Sequence, residues 1–209
     1  MSSLRTCILA ATEAVEAARD DLGALDGIAG DGDHGMTMAS AARNVRAKLN
    51  AAPDADGAAL LAPAAMGVGS VGGAIGPIYA TAILKIAALK PAAPVTVAEL
   101  VTCAEAAEAG IMVLGKAKPG DKTVLDALHP LVGSLKASAA AGDDVATAVA
   151  AAAVAARRGA ESTAVMIATI GRASRLGERS RGWADPGATS FAIIVEALAS
   201  AFVRELSQK

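Results

Sequence analysis

Val145-Ala-Thr-Ala-Val-Ala-Ala-Ala-Ala-Val-Ala-Ala156 is the stretch that decides the fold. Alanine is the best helix former, and its short side chain lets neighbouring helix axes come close together. The run therefore reads as a helix, capped by Gly142-Asp-Asp144 and continuing to near Ala156 or as far as Thr169. The rest of the chain has the same character. Its 209 residues hold one Trp, one Tyr and two Phe, and the apolar material is mostly Ala, Leu, Val and Ile. Nowhere do β-branched residues alternate with polar ones over a useful length, so no strand is predicted. The expectation is an all-α protein with a thin, alanine-lined core, in one domain spanning residues 1–209.

Working outward from that run, the spacing predicts eight helices. The first covers residues 3–22, with Leu4, Ile8, Ala11, Val15 and Ala18 on one stripe. Further helices are expected over about 34–49, 57–70 and from Pro77 to before Pro91, proline being suited to a first helical turn. Thr96 with Glu99 forms a capping box for a fifth helix to Leu114. A sixth runs from Asp121 to Ser138, the alanine run is the seventh, and residues 188–206 are the last. Short connections imply antiparallel neighbours, hence an eight-helix up-and-down barrel or bundle.

Composition narrows the function. With 19 basic and 21 acidic residues, and no basic tract interleaved with aromatics, nothing marks a nucleic-acid surface. Cys7 and Cys103 lack zinc-ligand spacing and read as reduced thiols of a cytoplasmic protein. Residues 57–84 carry no charge and are long enough to span a bilayer, but six glycines and two prolines split them into a helix–loop–helix, so no membrane span is expected. Only His34 and His129 are histidines, which argues against a hydrolase triad, and His129 beside Pro130 in an apolar helix reads as structural.

The unusual residues fall in four connections, and alternate connections of an antiparallel bundle share an end. Asp26-Gly-Ile-Ala-Gly-Asp-Gly-Asp-His-Gly35 places three carboxylates within eight residues. It is either a solvated acidic turn or a loop that holds Mg²⁺ against a polyphosphate. Gly69-Ser-Val-Gly-Gly-Ala-Ile-Gly-Pro77 is either a tight interhelical turn or a cradle for phosphate at a helix start. Gly171 to Gly182 carries four arginines, as a solvated loop or as a phosphate grip. Lys116, Lys118 and Lys122 read as ordinary surface lysines, and Asp185 as a helix-start residue. His34, next to the acids, is placed to touch a phosphate or polarise a transferring oxygen.

Taken together, Asp26-x4-Asp31-x-Asp33-His34-Gly35, Ser70-Val-Gly-Gly-Ala74 with Gly76-Pro77, Lys118-Pro-Gly-Asp-Lys-Thr123, Gly171-Arg-Ala-Ser174, Leu176-Gly-Glu-Arg-Ser180 and Asp185-Pro-Gly-Ala-Thr-Ser190 resemble the L, nucleotide-binding subunit of dihydroxyacetone kinase. Six blocks in order cover nearly the whole chain. The resemblance implies an eight-helix barrel with ATP or ADP and two Mg²⁺ ions at one end. It implies that Asp26, Asp31 and Asp33 ligate the metal, and that His34, Gly35, Met36 and Thr37 line the phosphates with Gly73, Ala74 and Ile75. Gly115, Thr123 and Val124 would border the nucleoside, and Arg172 with Asp185, Pro186 and Gly187 would complete the site, His34 and Arg172 acting catalytically. Two departures are Ile75, where the family usually has a serine, and Trp183, where it commonly has a smaller or polar residue.

The resemblance further implies phosphoryl transfer to dihydroxyacetone or a similar hydroxyketone held on a separate K subunit, with a phosphotransferase M subunit in phosphoenolpyruvate-linked members, and a homodimer. Competing readings are a nucleotide-sensing subunit that signals without catalysis and the nucleotide domain of fatty acid kinase. The latter group resembles Asp-Gly-Asp-Thr-Gly at the acid loop, whereas here His34 follows the acids.

Overall fold

The computed structural model describes residues 3–207. Nine α-helices occupy them: α1 Ser3–Ala17, α2 Arg19–Ala29, α3 His34–Asn50, α4 Leu61–Gly69, α5 Ile75–Leu89, α6 Val97–Gly115, α7 Leu125–Ala141, α8 Val145–Ser162 and α9 Pro186–Ser207. Short 3-10 segments lie at Gly57–Leu60, Thr163–Val165 and Arg172–Ser180, and no strand occurs among the described residues. From α3 to α9 each helix packs on the next, and α1 packs on both α3 and α9. Eight helices thus close a ring, with α2 continuing α1 at its end. This is the expected up-and-down barrel.

Helix boundaries follow local chemistry. At the start of α6 the Thr96 hydroxyl accepts the Glu99 N–H at 3.2 Å, while the Glu99 carboxylate accepts the Thr96 N–H at 2.9 Å. Asp144 caps α8 by accepting the Thr147 N–H at 2.7 Å, and α8 ends at Ser162, short of Thr169. Two expectations are corrected. The first helix does not stop at residue 22: it kinks at Ala18 and runs on as α2 to Ala29, so Asp26 stands on a helix and not in a loop. The sixth helix begins at Leu125, not Asp121, because Lys122 has a left-handed φ of +61° and the 118–123 backbone donates to the carboxylates of Asp121 and Asp126.

The core has two main clusters. Val15, Leu22, Met38, Val45, Leu49, Leu60 and Tyr79 fill the α1–α5 side, and Ile111, Leu125, Leu128, Leu131 and Leu135 with alanines of α8 fill the other. Phe191 and Ile78 touch both. Where helices pass closest the sequence supplies glycine. A Cβ on Gly67 would lie 2.5 Å from the Val45 Cα, and one on Gly159 would lie 2.3 Å from the Asp126 carbonyl oxygen.

Residues 57–84 divide into α4 and α5 as expected. Among the described helices only α9 is long and apolar enough to cross a membrane, and here it packs between α1 and α8 with Ala188, Ala192, Ala199 and Ala201 buried. At one end of the barrel Arg5 of α1 donates to the carbonyls of Leu49, Ala52 and Ala55, tying α1 to the end of α3 and the turn after it. The four unusual connections emerge at the other end.

Candidate functional site

Asp26 sits in the last turn of α2, where its Oδ2 accepts the His34 N–H at 3.2 Å. The intervening chain folds back over that turn. A Cβ on Gly30 would be 2.4 Å from the Asp26 Oδ1, so a larger residue would press on the carboxylate, and Gly32 takes a φ of +75° that favours glycine. One carboxylate oxygen from each of Asp26, Asp31 and Asp33 lies within 4.8 Å of the others. Arg172 approaches from across the rim. Its guanidinium pairs with Asp31 and reaches the Asp33 Oδ1 at 3.3 Å. Three hard oxygen donors at this separation fit Mg²⁺, which takes one or two carboxylates and completes its shell with water and phosphate oxygens.

A second group joins the α6–α7 connection to the segment before α9. Asp121 accepts from the Thr169 hydroxyl at 2.6 Å and the Lys118 N–H at 2.8 Å, and the Thr169 bond holds its carboxyl below the usual range. Asp126 accepts the N–H groups of Gly120 and Thr123. Asp185 caps α9 through the Ala188 N–H at 2.7 Å, while its own N–H donates to the Thr163 hydroxyl. Burial pushes the Asp185 carboxyl up to about 6, only partly offset by the Ala188 N–H and the nearby Lys122.

Lys122 corrects the surface reading. It is 5% exposed, and its ammonium donates to the carbonyls of Met166, Ser180 and Trp183. Desolvation holds its pKa below that of an ordinary lysine, against the pull of Asp185. The sequence signal was present but weak: Lys122 lies between two acids, Asp121 and Asp126, that order its backbone.

His34 is also corrected. Its ring does not project among the acids. It is 7% exposed and turned inward, with Nε2 3.0 Å from the Ser190 Oγ, which lies 3.3 Å from the Tyr79 hydroxyl. Desolvation lowers the His34 pKa, opposed by Asp26 and a hydrogen bond to the Pro186 backbone. The ring therefore pins the start of α3 to the start of α9, while the His34 backbone N–H donates to Asp26.

The other expected site residues separate into distinct settings. Gly35 is buried, because a Cβ there would meet the Arg19 carbonyl oxygen at 1.9 Å, so helix packing alone calls for glycine. Met36 is 70% exposed, and Thr37 is half-buried in the same turn. Gly73 and Ala74 are exposed at the α4–α5 turn, whereas the Ile75 side chain packs on the α1–α5 core cluster. That turn shares the end of the barrel, yet no described hydrogen bond joins it to the acids. Gly115 ends α6, and Thr123 is half-buried beside Asp126. Val124 is buried against Leu125 and Leu128, so its side chain is unavailable to a ligand. Pro186 and Gly187 form the first turn of α9 beside Asp185. Trp183 is partly exposed and offers its carbonyl to Lys122. His129, expected within an apolar helix, has an exposed ring whose Nδ1 lies 2.8 Å from Glu108 of α6.

Comparison with known proteins bears on this geometry. The DAK2 domain model matches residues 28–200. Over 179 residues the chain is 41% identical to the ADP-binding subunit DhaL of the PEP-dependent dihydroxyacetone kinase of Escherichia coli, with 85% of each chain covered. It is 35% identical over 198 residues to D-erythrulose kinase of Mycolicibacterium smegmatis, covering 91% of this chain and 33% of that enzyme. The crystal structure of the dihydroxyacetone kinase from C. freundii in complex with AMP-PNP and Mg²⁺ matches with a TM-score of 0.68 at 28% identity, over 94% of this chain and 33% of that one. The chain thus spans most of the bacterial subunit but one third of the two larger kinases. It belongs to the DAK2-domain family, among the L subunits of dihydroxyacetone kinase.

Proposed function

We propose that this chain is the nucleotide-carrying subunit of a cytoplasmic kinase, passing the γ-phosphoryl of ATP to dihydroxyacetone or a similar short hydroxyketone bound on a separate K subunit. The observation that carries the reading is the convergence of Asp26, Asp31 and Asp33 within 4.8 Å, with Arg172 facing them. In this reading the three carboxylates hold two Mg²⁺ ions. Bound Mg²⁺ supplies the positive charge that neutralises phosphate oxygens and keeps them aligned.

The protein's own groups do the positioning. The first turn of α3 leaves the N–H groups of Gly35 and Met36 without helical partners and so suited to an anion, with Thr37 adding a hydroxyl. Gly73, Ala74 and Ile75 contribute by backbone, since the Ile75 side chain belongs to the core. Arg172 grips the terminal phosphate with its planar guanidinium. Gly115 and Thr123 border the nucleoside opposite Asp185, Pro186 and Gly187, with Val124 acting only through its backbone. His34 acts through its N–H and as a pin, not as an acid or base.

The test is a calorimetric titration with ADP in the presence and absence of Mg²⁺. Asp31→Asn should weaken Mg²⁺-dependent binding at least ~100-fold, as losing a ligand exceeds the ~10–100-fold cost of losing a ligand's support. Helical content should be unchanged. Equal affinity in variant and parent would end the metal assignment. Identity to a PEP-dependent DhaL over most of both chains supports a second detail: ADP stays bound and is recharged by a phosphotransferase M subunit. One ADP per chain surviving purification would support it, as would a homodimer that retains both nucleotides.

A further inference from the structure

We infer that Lys122 is a positioning residue for Arg172: its ammonium clamps the neck of the 166–183 loop and so sets where the guanidinium stands over the acids. This rests on the nucleotide role proposed above. Lysine is almost never fully buried unless paired, yet Lys122 is 5% exposed. An ammonium has three donors, and here three carbonyls receive them: Met166 at 3.3 Å, Ser180 at 2.5 Å and Trp183 at 2.7 Å.

The placement of those acceptors is what matters. Met166 lies at the entry to the loop, and Ser180 and Trp183 lie at its exit, so one side chain gathers both ends. The neck is reinforced around the same point. The buried Ser180 hydroxyl accepts the Ala168 N–H at 2.9 Å and donates to the Gly177 carbonyl at 2.6 Å. The Gly182 N–H reaches the Ala164 carbonyl at 2.8 Å, and Thr169 is held by Asp121.

Beyond the neck the loop is a short 3-10 segment with much of its surface exposed. Gly171, Arg172, Arg175, Glu178 and Arg179 are exposed, and beyond the pairing with Asp31 and Asp33 no described hydrogen bond carries Arg172 to the rest of the barrel. A guanidinium carried on this loop, three residues past the anchored Thr169, is only as well aimed as the loop's base. Lys122 also holds a φ of +61°, a conformation that non-glycine residues adopt rarely and keep only where the surroundings enforce it. The Asp121 and Asp126 carboxylates supply that enforcement through the backbone on either side.

A filler of the fold and a positioning residue differ in what they do to nucleotide selectivity. The test titrates the full chain with Mg²⁺-ADP and Mg²⁺-AMP-PNP, for the parent, Lys122→Met, Arg172→Met and the double variant. Arg172→Met should weaken AMP-PNP about 10-fold or more relative to ADP, the value of a hydrogen bond to a charged group. Lys122→Met should shift the same ratio in the same direction, and the double variant should be no worse than Arg172→Met alone. Additive effects, or equal weakening of both nucleotides by Lys122→Met, would overturn the inference. Should Lys122→Met lose its helical circular dichroism, Lys122→Gln, which keeps a donor but not the ammonium's three, takes its place in the cycle, with the same ratio expected to move and an unchanged ratio counting against us. A parent chain that binds neither nucleotide removes the nucleotide reading and this inference with it. Intact parent binding with additive variants removes the inference alone.

Discussion

Gly35→Ala distinguishes a glycine required by packing from one required by a ligand. The new Cβ would stand 1.9 Å from the Arg19 carbonyl oxygen, 2.9 Å from its carbonyl carbon and 2.7 Å from the Gly23 nitrogen. All three are backbone atoms of α2, so no rotamer change relieves the contact. The helices must separate by more than an ångström, which places the cost near the upper end of the roughly 1–3 kcal/mol typical of overpacking. Better helix propensity returns at most about 1 kcal/mol. A net loss of about 2 kcal/mol lowers the Tm of a domain this size by roughly 4–8 °C. Gly133, on an exposed face of α7, is the control, because a Cβ there meets nothing within 4 Å. Gly133→Ala should gain about 0.5–1 kcal/mol, mostly by restricting the unfolded chain and favouring helix. Thermal melts followed by far-UV circular dichroism read both. Shifts of the same sign, or a Gly35→Ala variant as stable as its parent, would refute the packing argument.

Other perturbations test the site and the caps. Asp185 keeps its proton up to about pH 6 when folded, against an ordinary value of 3.8, so the folded state binds more protons than the unfolded one between those limits. Stability linked to this group is therefore full at low pH and is lost as pH rises through 6. Asp185→Asn retains the cap and removes that loss. Urea titrations should show the variant more stable near neutral pH by up to roughly 3 kcal/mol, converging with the parent near pH 4, and a pH-independent difference would contradict this. Thr96→Ala removes the hydroxyl of the capping box and should cost about 1 kcal/mol in the same assay, with nucleotide titration unaffected because that cap lies at the end of the barrel away from the acids.

Much of the barrel was legible because alanine-rich runs, caps and breakers coincide. Thr96 with Glu99 and Asp144 with Thr147 are local signals, and their hydrogen bonds form as the residue types require. The clustering of Asp26, Asp31 and Asp33 could also be read, since a short loop brings its own ends together. What the sequence hid was direction. The same spacing permits His34 to face the acids or the core, and only the arrival of Ser190 and Tyr79 from distant helices decides for the core. Lys122 was nearly as hidden: its three acceptors lie more than forty positions away, and the nearby Asp121 and Asp126 hint at an ordered backbone without showing where the ammonium goes. The kink at Ala18 has no breaker residue at all. It falls where α3 brings Gly35 against Arg19, a tertiary contact that propensity does not report.

The seam between α1 and α9 has a consequence for how the molecule is made. Neighbouring helices can pair as they leave the ribosome, but the ring cannot shut until residues 186–207 find residues 3–17, across nearly the whole described length. Such long-range pairing is intrinsically slow, so an open crescent with apolar edges should accumulate during synthesis and be the species most prone to aggregate or to borrow a helix from a second copy.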